Sequence, residues 1–182
     1  MEVIQSSLEG VLLFQQKVFE DPRGYFAEIY KTVSFSKDLP VSFVQDNLSL
    51  SHRGVVRGLH LQKNPMAQGK LVRCLKGRIW DVALDLRPQS KTFQQWTSYE
   101  LSEENHSALY IPPGFAHGFQ ALEENTLVFY KCTELYSKGH EVGLRFDDKT
   151  LGIPWPLPPS ELSEKDQKLP TLQELLESDL IG

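Results

Sequence analysis

The sequence predicts an all-β domain of the sandwich, jelly-roll or barrel kind, on three observations. Several segments alternate with a period of two, the pattern of a strand with two different faces. Others are short runs rich in β-branched and aromatic residues. Gly24, Gly54, Gly58, Gly69, Gly77, Gly114 and Gly118 interrupt these runs at short intervals, as turns between many short strands do.

Along the chain, Phe35 to Leu39 has the length of one helical turn, and Phe43-Val44-Gln45 reads as a strand. Leu71 to Leu75 is a second strand. In the next, Trp80, Val82, Leu84 and Leu86 fall on one side and Asp81, Ala83 and Asp85 on the other, which predicts a half-buried strand. Leu109-Tyr110-Ile111 and Leu127 to Cys132 follow as strands. The proline-rich Leu151 to Pro159 is expected to cross the surface. Thr171 and Glu174 form a capping box ahead of an apolar face made by Leu172, Leu175 and Leu176, so the tail is helical. There is no internal repeat, and one domain over residues 1–182 is expected.

Composition limits what such a domain can do. With 182 residues, 40% hydrophobic and 24% charged, the chain can bury a sizeable core and has no disordered bias. The formal charge of -5 argues against non-specific binding to nucleic acid or an anionic membrane. No apolar run reaches the length of a membrane span. Met1-Glu2-Val3-Ile4-Gln5 has no basic segment leading into an apolar one, so no secretory signal is expected. Cys74 and Cys132 form no CxxC pair, which suits buried free thiols in a reducing cytoplasm.

The charge is unevenly spread. Between Asp46 and Asp81 there is no acidic residue, while Arg53, Arg57, Lys63, Lys70, Arg73, Lys76 and Arg78 all fall there. A solvated basic face accounts for most of them; a pocket for an anion accounts for those inside motifs. Arg57 and His60 share Val56-Arg57-Gly58-Leu59-His60-Leu61-Gln62, where regular pleating puts them on opposite faces and Gly58 permits a bulge. Lys70 opens a strand after the Gly69 turn. His117 ends a P-x-G-x-x-H turn, Pro112 to His117, and Tyr130 lies within a strand.

Together with Phe19 to Glu28, Gln45 to Ser49, Ala67 to Val72, Ile111 to Phe119, Val128 to Lys131 and Ser163 to Asp166, these motifs resemble the cupin superfamily. Within it they closely resemble the dTDP-4-dehydrorhamnose 3,5-epimerase family. P-x-G-x-x-H is common among cupins; R-G-L-H-x-Q and Q-G-K-L-V at this spacing are specific. The resemblance runs from about residue 10 to about residue 170. It implies a cupin-type jelly roll (a double-stranded β-helix) with a few short helices, a homodimer, and the substrate dTDP-4-dehydro-6-deoxy-glucose. It implies His60 as proton acceptor, Tyr130 as proton donor, Asp166 as partner of His60, and Lys70 facing the ketone. Arg23, Glu28, Gln45, Asn47, Arg57, His117, Glu141 and Lys165 would contact substrate, and Tyr136 would stack on thymine. The segment with Arg23 and Glu28 would reach into the partner's site. Phe146 and Pro154 depart from the family's usual residues, outside the catalytic positions.

The implied residues suit the implied chemistry. With the ketone at C4, both C3 and C5 are α-carbons, so loss of either proton gives an enolate. Such a proton is less acidic than imidazolium by roughly a dozen pKa units, and each unit is about 1.36 kcal/mol, so histidine alone is too weak a base. Lys70 would stabilise the developing oxyanion, Asp166 the imidazolium, and Tyr130 would supply a proton. Arg23 and Arg57 suit a diphosphate. A single-centre epimerase or ketoisomerase acts on the same substrate class. A metal-dependent cupin oxygenase would need a second histidine near His60, where Leu61 and Gln62 stand, so no catalytic metal and no cofactor are expected. A non-catalytic sugar-binding cupin could dispense with the acid–base pair.

Overall fold

A computed structural model describes residues 2–35 and 37–178. Its strands are β1 (Glu2–Gln5), β2 (Leu12–Gln15), β3 (Val18–Asp21), β4 (Gly24–Ala27), β5 (Gln45–Ser51), β6 (Val56–Gln62), β7 (Lys70–Lys76), β8 (Arg78–Asp85), β9 (Trp96–Ser102), β10 (Ser107–Ile111), β11 (Phe115–Ala121), β12 (Thr126–Cys132) and β13 (Glu141–Gly143). Two short helices, α1 (Thr32–Phe35) and α2 (Leu172–Glu177), and a 3-10 turn at Asp166–Lys168 complete it. One sheet has the order β1-β2-β10-β7-β12-β5 and the other β13-β6-β11-β8-β9, with β3 and β4 pairing apart as a hairpin. Apart from the pairs β1-β2 and β8-β9, neighbouring strands in both sheets are distant in sequence, the crossing connectivity of a jelly roll.

The alternation of each strand sorts its residues between three apolar clusters. Val72, Cys74, Leu109, Ile111 and Val128 of the six-stranded sheet meet Ile79, Ala83, Leu101, Phe115 and Phe119 of the other. The outer face of the five-stranded sheet, with Leu59, Leu61, Val82, Leu84 and Ala116, is covered by Leu144, Leu151, Ile153, Leu172 and Leu175. The outer face of the six-stranded sheet, with Leu12, Phe14, Leu71 and Tyr110, is covered by Phe35 and Leu39.

This three-layer arrangement corrects two expectations. Asp81, Ala83 and Asp85 are 0% exposed, so β8 is buried on both faces. The alternation of β8 separates the inter-sheet interior from a second core under the C-terminal segment. Leu151 and Ile153 are buried in that second core, so residues 151–159 cap the sheet as well as crossing it. Strand β5 begins at Gln45, leaving Phe43 and Val44 outside it. The helical turn falls at Thr32–Phe35, one turn before its expected place. The capping box at Thr171 and Glu174 forms as expected: each residue satisfies a backbone N–H of the other.

Candidate active site

At the edge where β5 and β12 face β6 and β13, the inward residues are polar. On β5 they are Gln45, Asn47, Ser49 and Ser51, cross-strand neighbours of Cys132, Tyr130, Val128 and Thr126. Lys70 is the neighbour of Cys132 on the other side. Two clefts, of about 530 and 370 Å³, open along this edge. His60, Lys70 and Tyr130 line both, so the clefts meet at these three side chains.

The backbone of β6 is shaped to bring Arg57 and His60 into one cleft. Phe119 faces Arg57 and His117 faces His60, so two residues of β11 span three steps of β6. This bulge puts Arg57 and His60 on the same face. It turns at Gly58, whose φ is +107° and where a Cβ would lie 2.5 Å from the carbonyl oxygen of His117. Only glycine meets both conditions. Arg57 donates to Ser51 Oγ and to the Leu50 carbonyl, each at 2.9 Å, and pairs with no carboxylate among the described residues.

His60 Nε2 lies 2.6 Å from Asp166 Oδ1. Asp166, in the 3-10 turn and 5% exposed, also accepts from the Gly58 N–H and, through its own N–H, donates to Ser163 Oγ. Burial alone would raise its pKa. The bonds from His60, Gly58 and Ser163 outweigh burial and hold it below the usual carboxylate value. A carboxylate at Nε2 fixes the tautomer with Nε2–H and leaves the lone pair on Nδ1.

Lys70 extends from the start of β7, with Nζ 3.5 Å from the His60 carbonyl oxygen. Burial lowers its pKa, and the negative charges of Glu141 and Asp81 oppose that shift. Burial raises the pKa of the Tyr130 phenol, so it keeps its proton. His60 stands on the five-stranded sheet and Tyr130 on the six-stranded sheet, so the imidazole and the phenol face the junction from opposite walls.

His117 Nε2 is 2.9 Å from Asp81 Oδ2, and both side chains are buried. Among the described residues Asp81 Oδ1 has no hydrogen-bond partner, and burial raises the pKa of this carboxyl. Asp81 went unnoticed in the sequence because it looks like the solvent side of a strand. In the second cleft, Gln45 accepts from the Tyr136 N–H at 2.8 Å and donates to Asn47 at 3.0 Å. Gln62, within R-G-L-H-x-Q, holds the Tyr136 loop through Leu135 O and Ser137 N. Glu141 accepts from the Tyr136 hydroxyl and pairs with Lys165.

Arg23 and Glu28 lie outside both clefts. Arg23 pairs with Asp21 at 2.6 Å and is 90% exposed; Glu28 pairs with Lys31 at 3.5 Å. They sit in and beside the β3–β4 hairpin, whose Phe19, Tyr25 and Phe26 are exposed.

A jelly roll whose polar edge arranges a histidine–aspartate pair, a half-buried ammonium and a phenol around one junction is a cupin-type isomerase. A family model described as dTDP-4-dehydrorhamnose 3,5-epimerase matches residues 5–174, and the chain belongs to that family. A dTDP-4-dehydrorhamnose 3,5-epimerase of Methanothermobacter thermautotrophicus is 47% identical over 175 residues, 94% of each chain. The Legionella pneumophila enzyme RmlC, a dTDP-6-deoxy-D-glucose-3,5-epimerase solved with dTDP-4-keto-L-rhamnose, superposes with a TM-score of 0.93. It is 39% identical, over 99% of this chain and 96% of its own. ChmJ, a 3′-monoepimerase of Streptomyces bikiniensis solved with dTDP-quinovose, is 30% identical with a TM-score of 0.92, over 97% of this chain and 90% of its own.

Proposed function

We propose that the protein inverts C3 and C5 of dTDP-4-dehydro-6-deoxy-D-glucose, giving dTDP-4-dehydro-L-rhamnose, the precursor of a rhamnose donor for polysaccharide. His60 Nδ1 takes the proton from the carbon, and the electron pair moves through the enolate onto the C4 oxygen. Lys70 stabilises that oxyanion through a charge-assisted hydrogen bond. Tyr130 returns a proton from the other wall, and the C4 carbonyl re-forms. Asp166 keeps His60 in the tautomer that can act as base. The observation that carries this reading is the shared junction of His60, Lys70 and Tyr130, with base and acid on opposing sheets.

The rest of the site suits a nucleotide sugar. Arg57 offers a guanidinium free of carboxylates to a diphosphate. Tyr136, 55% exposed, offers a ring face to thymine, with Gln45, Asn47, His117, Glu141 and Lys165 close by. A homodimer brings in Arg23 and Glu28: the hairpin that carries them is exposed and aromatic, and β5 exposes Leu48 and Leu50 beside the clefts. The cytoplasm suits two buried free thiols. Among the described residues no helix is long and apolar enough to cross a membrane.

Incubation with the substrate in deuterated water, followed by proton NMR, tests the reaction. Loss of signal at both C3 and C5 is expected; loss at one carbon alone would make the protein a monoepimerase, the activity of ChmJ. Mixing Arg23→Ala with His60→Ala, each inactive alone, tests the arm. If the arm crosses, half the dimers are hybrids with one intact site, restoring about one quarter of wild-type activity. No recovery would place Arg23 in its own chain's site.

A further inference from the structure

Glu141 was expected to touch substrate. Both its carboxylate oxygens are already engaged by protein. Oε2 accepts from the Tyr136 hydroxyl at 2.8 Å, and Oε1 lies 2.6 Å from Lys165 Nζ. The side chain is 16% exposed, so little of it remains for a ligand. These two bonds lower its pKa despite burial, so it is a carboxylate at neutral pH.

Its two partners belong to different parts of the site. Tyr136 stands at the mouth of the second cleft with its ring exposed, and its backbone is fixed by Gln45 and by the Gln62-anchored loop. Lys165 precedes Asp166 in the segment from Ser160 to Pro170, which lies over the first cleft. That segment is tied at its start by Ser160, which bonds Gly54 and Arg53, and at its end by the Pro170 carbonyl, which accepts from Arg145. Between these ends, its polar side-chain ties to the sheets among the described residues are Asp166 to His60 and Gly58, and Lys165 to Glu141. A continuous polar path therefore runs Tyr136–Glu141–Lys165, then along one peptide to Asp166 and His60.

We propose that Glu141 is a positioning residue that couples occupancy of the Tyr136 ring by the nucleotide base to the seating of the segment that carries Asp166. This rests on the epimerase reading above. A base stacked on Tyr136 holds the ring in one orientation, and that orientation keeps its hydroxyl on Glu141. Glu141 so held keeps Lys165, and with it Asp166, docked against His60. A ligand favours one arrangement only through such differential contacts, and the coupling is reciprocal. Binding at the remote base would thereby raise the rate at the sugar and not only the affinity.

The test is a double-mutant cycle on two residues that touch Glu141 but not each other, Tyr136→Phe and Lys165→Met. Two quantities are read: the rate of deuterium exchange at saturating substrate, and the affinity for dTDP alone. Tyr136→Phe keeps the stacking ring, so dTDP affinity should stay within about two-fold while exchange slows about five- to ten-fold. Lys165→Met should slow exchange similarly. The double variant should be no slower than the slower single variant, because either change already breaks the path. Glu141→Gln, which retains an acceptor for Tyr136 but lacks the charge for Lys165, should match Lys165→Met. Multiplying effects in the double variant, unchanged exchange in Tyr136→Phe, or a loss confined to dTDP affinity would each overturn the coupling. Absence of exchange in the wild-type protein would instead overturn the epimerase reading itself.

Discussion

The two sides of the sandwich share the strands β7 and β12 and have opposite interiors. On β7 and β12, Val72, Cys74 and Val128 face a dry core; a residue or two along the same faces stand Lys70 and Tyr130. On the β2 and β10 side Leu13, Leu109 and Ile111 join that apolar core and are closed over by the opposite sheet. On the β5 and β6 side they are Gln45, Asn47, Ser49, Arg57, His60 and Gln62, and the sheets stand open as clefts. Stability and chemistry are thus separated by a few residues along continuous strands. The apolar edge holds the sheets at a fixed spacing, so the polar edge can keep a base and an acid on opposing walls without collapsing around them. Its charged groups carry a cost: a half-buried ammonium and a buried carboxyl with one oxygen unpartnered among the described residues are unfavourable in the folded state except as parts of a site.

Substitutions at the two edges should separate these roles. The largest effect on activity is expected from His60→Ala: turnover falls about 10²–10⁴-fold, and the melting temperature drops because buried Asp166 loses its main partner. Stopped assays with NMR readout and a thermal melt check both. Lys70→Met should cost about 10²–10³-fold in turnover, the scale of losing one donor to an oxyanion. Because burial disfavours the ammonium, the same variant should melt no lower than the wild type. At the opposite extreme, Leu109→Ala, on β10 in the core between the sheets, should cost about 2–5 kcal/mol of stability by denaturant titration. Turnover well below its melting temperature should be unaffected. A Leu109→Ala protein that is stable but inactive would show that the edges are not separable.

The pH dependence sharpens the comparison. The proposed reaction needs the Lys70 ammonium, and burial lowers its pKa. The alkaline fall in kcat/KM should therefore come below the ordinary lysine value of about 10.4. Tyr130, whose pKa is raised, keeps its proton past that point. Lys70→Arg, charged at all these pH values, should move the fall upward. The smallest effect concerns stability in acid. Asp166 has a lowered folded pKa, so its contribution is fully present above the unfolded aspartate value of about 3.9. It is lost as the pH falls through the folded value. The stability difference between wild type and Asp166→Asn should shrink over that range.

Much of the polar edge was legible because its residues sit in short motifs: Lys70 after a glycine turn, His60 beside Gly58, His117 after Pro112 and Gly114. The bulge at Gly58 was open to inference from the odd spacing of Arg57 and His60. Asp81 was hidden, because alternation tells two faces apart but not which of them meets water, and β8 meets water on neither. Strand β5 was hidden for the reverse reason: its polar residues point inward and Leu48 and Leu50 outward. The bonds of Glu141 lay beyond reach, since its partners come from a loop and from the distant residues 160–170.

The most direct measurement of the central claim, base and acid on opposing walls, is the Tyr130→Phe variant with substrate in deuterated water. His60 should still remove protons and return deuterium from its own side, so deuterium appears at carbon without inversion of the sugar. Full inversion at wild-type rate in that variant would contradict the assignment of Tyr130 as the acid across the ring.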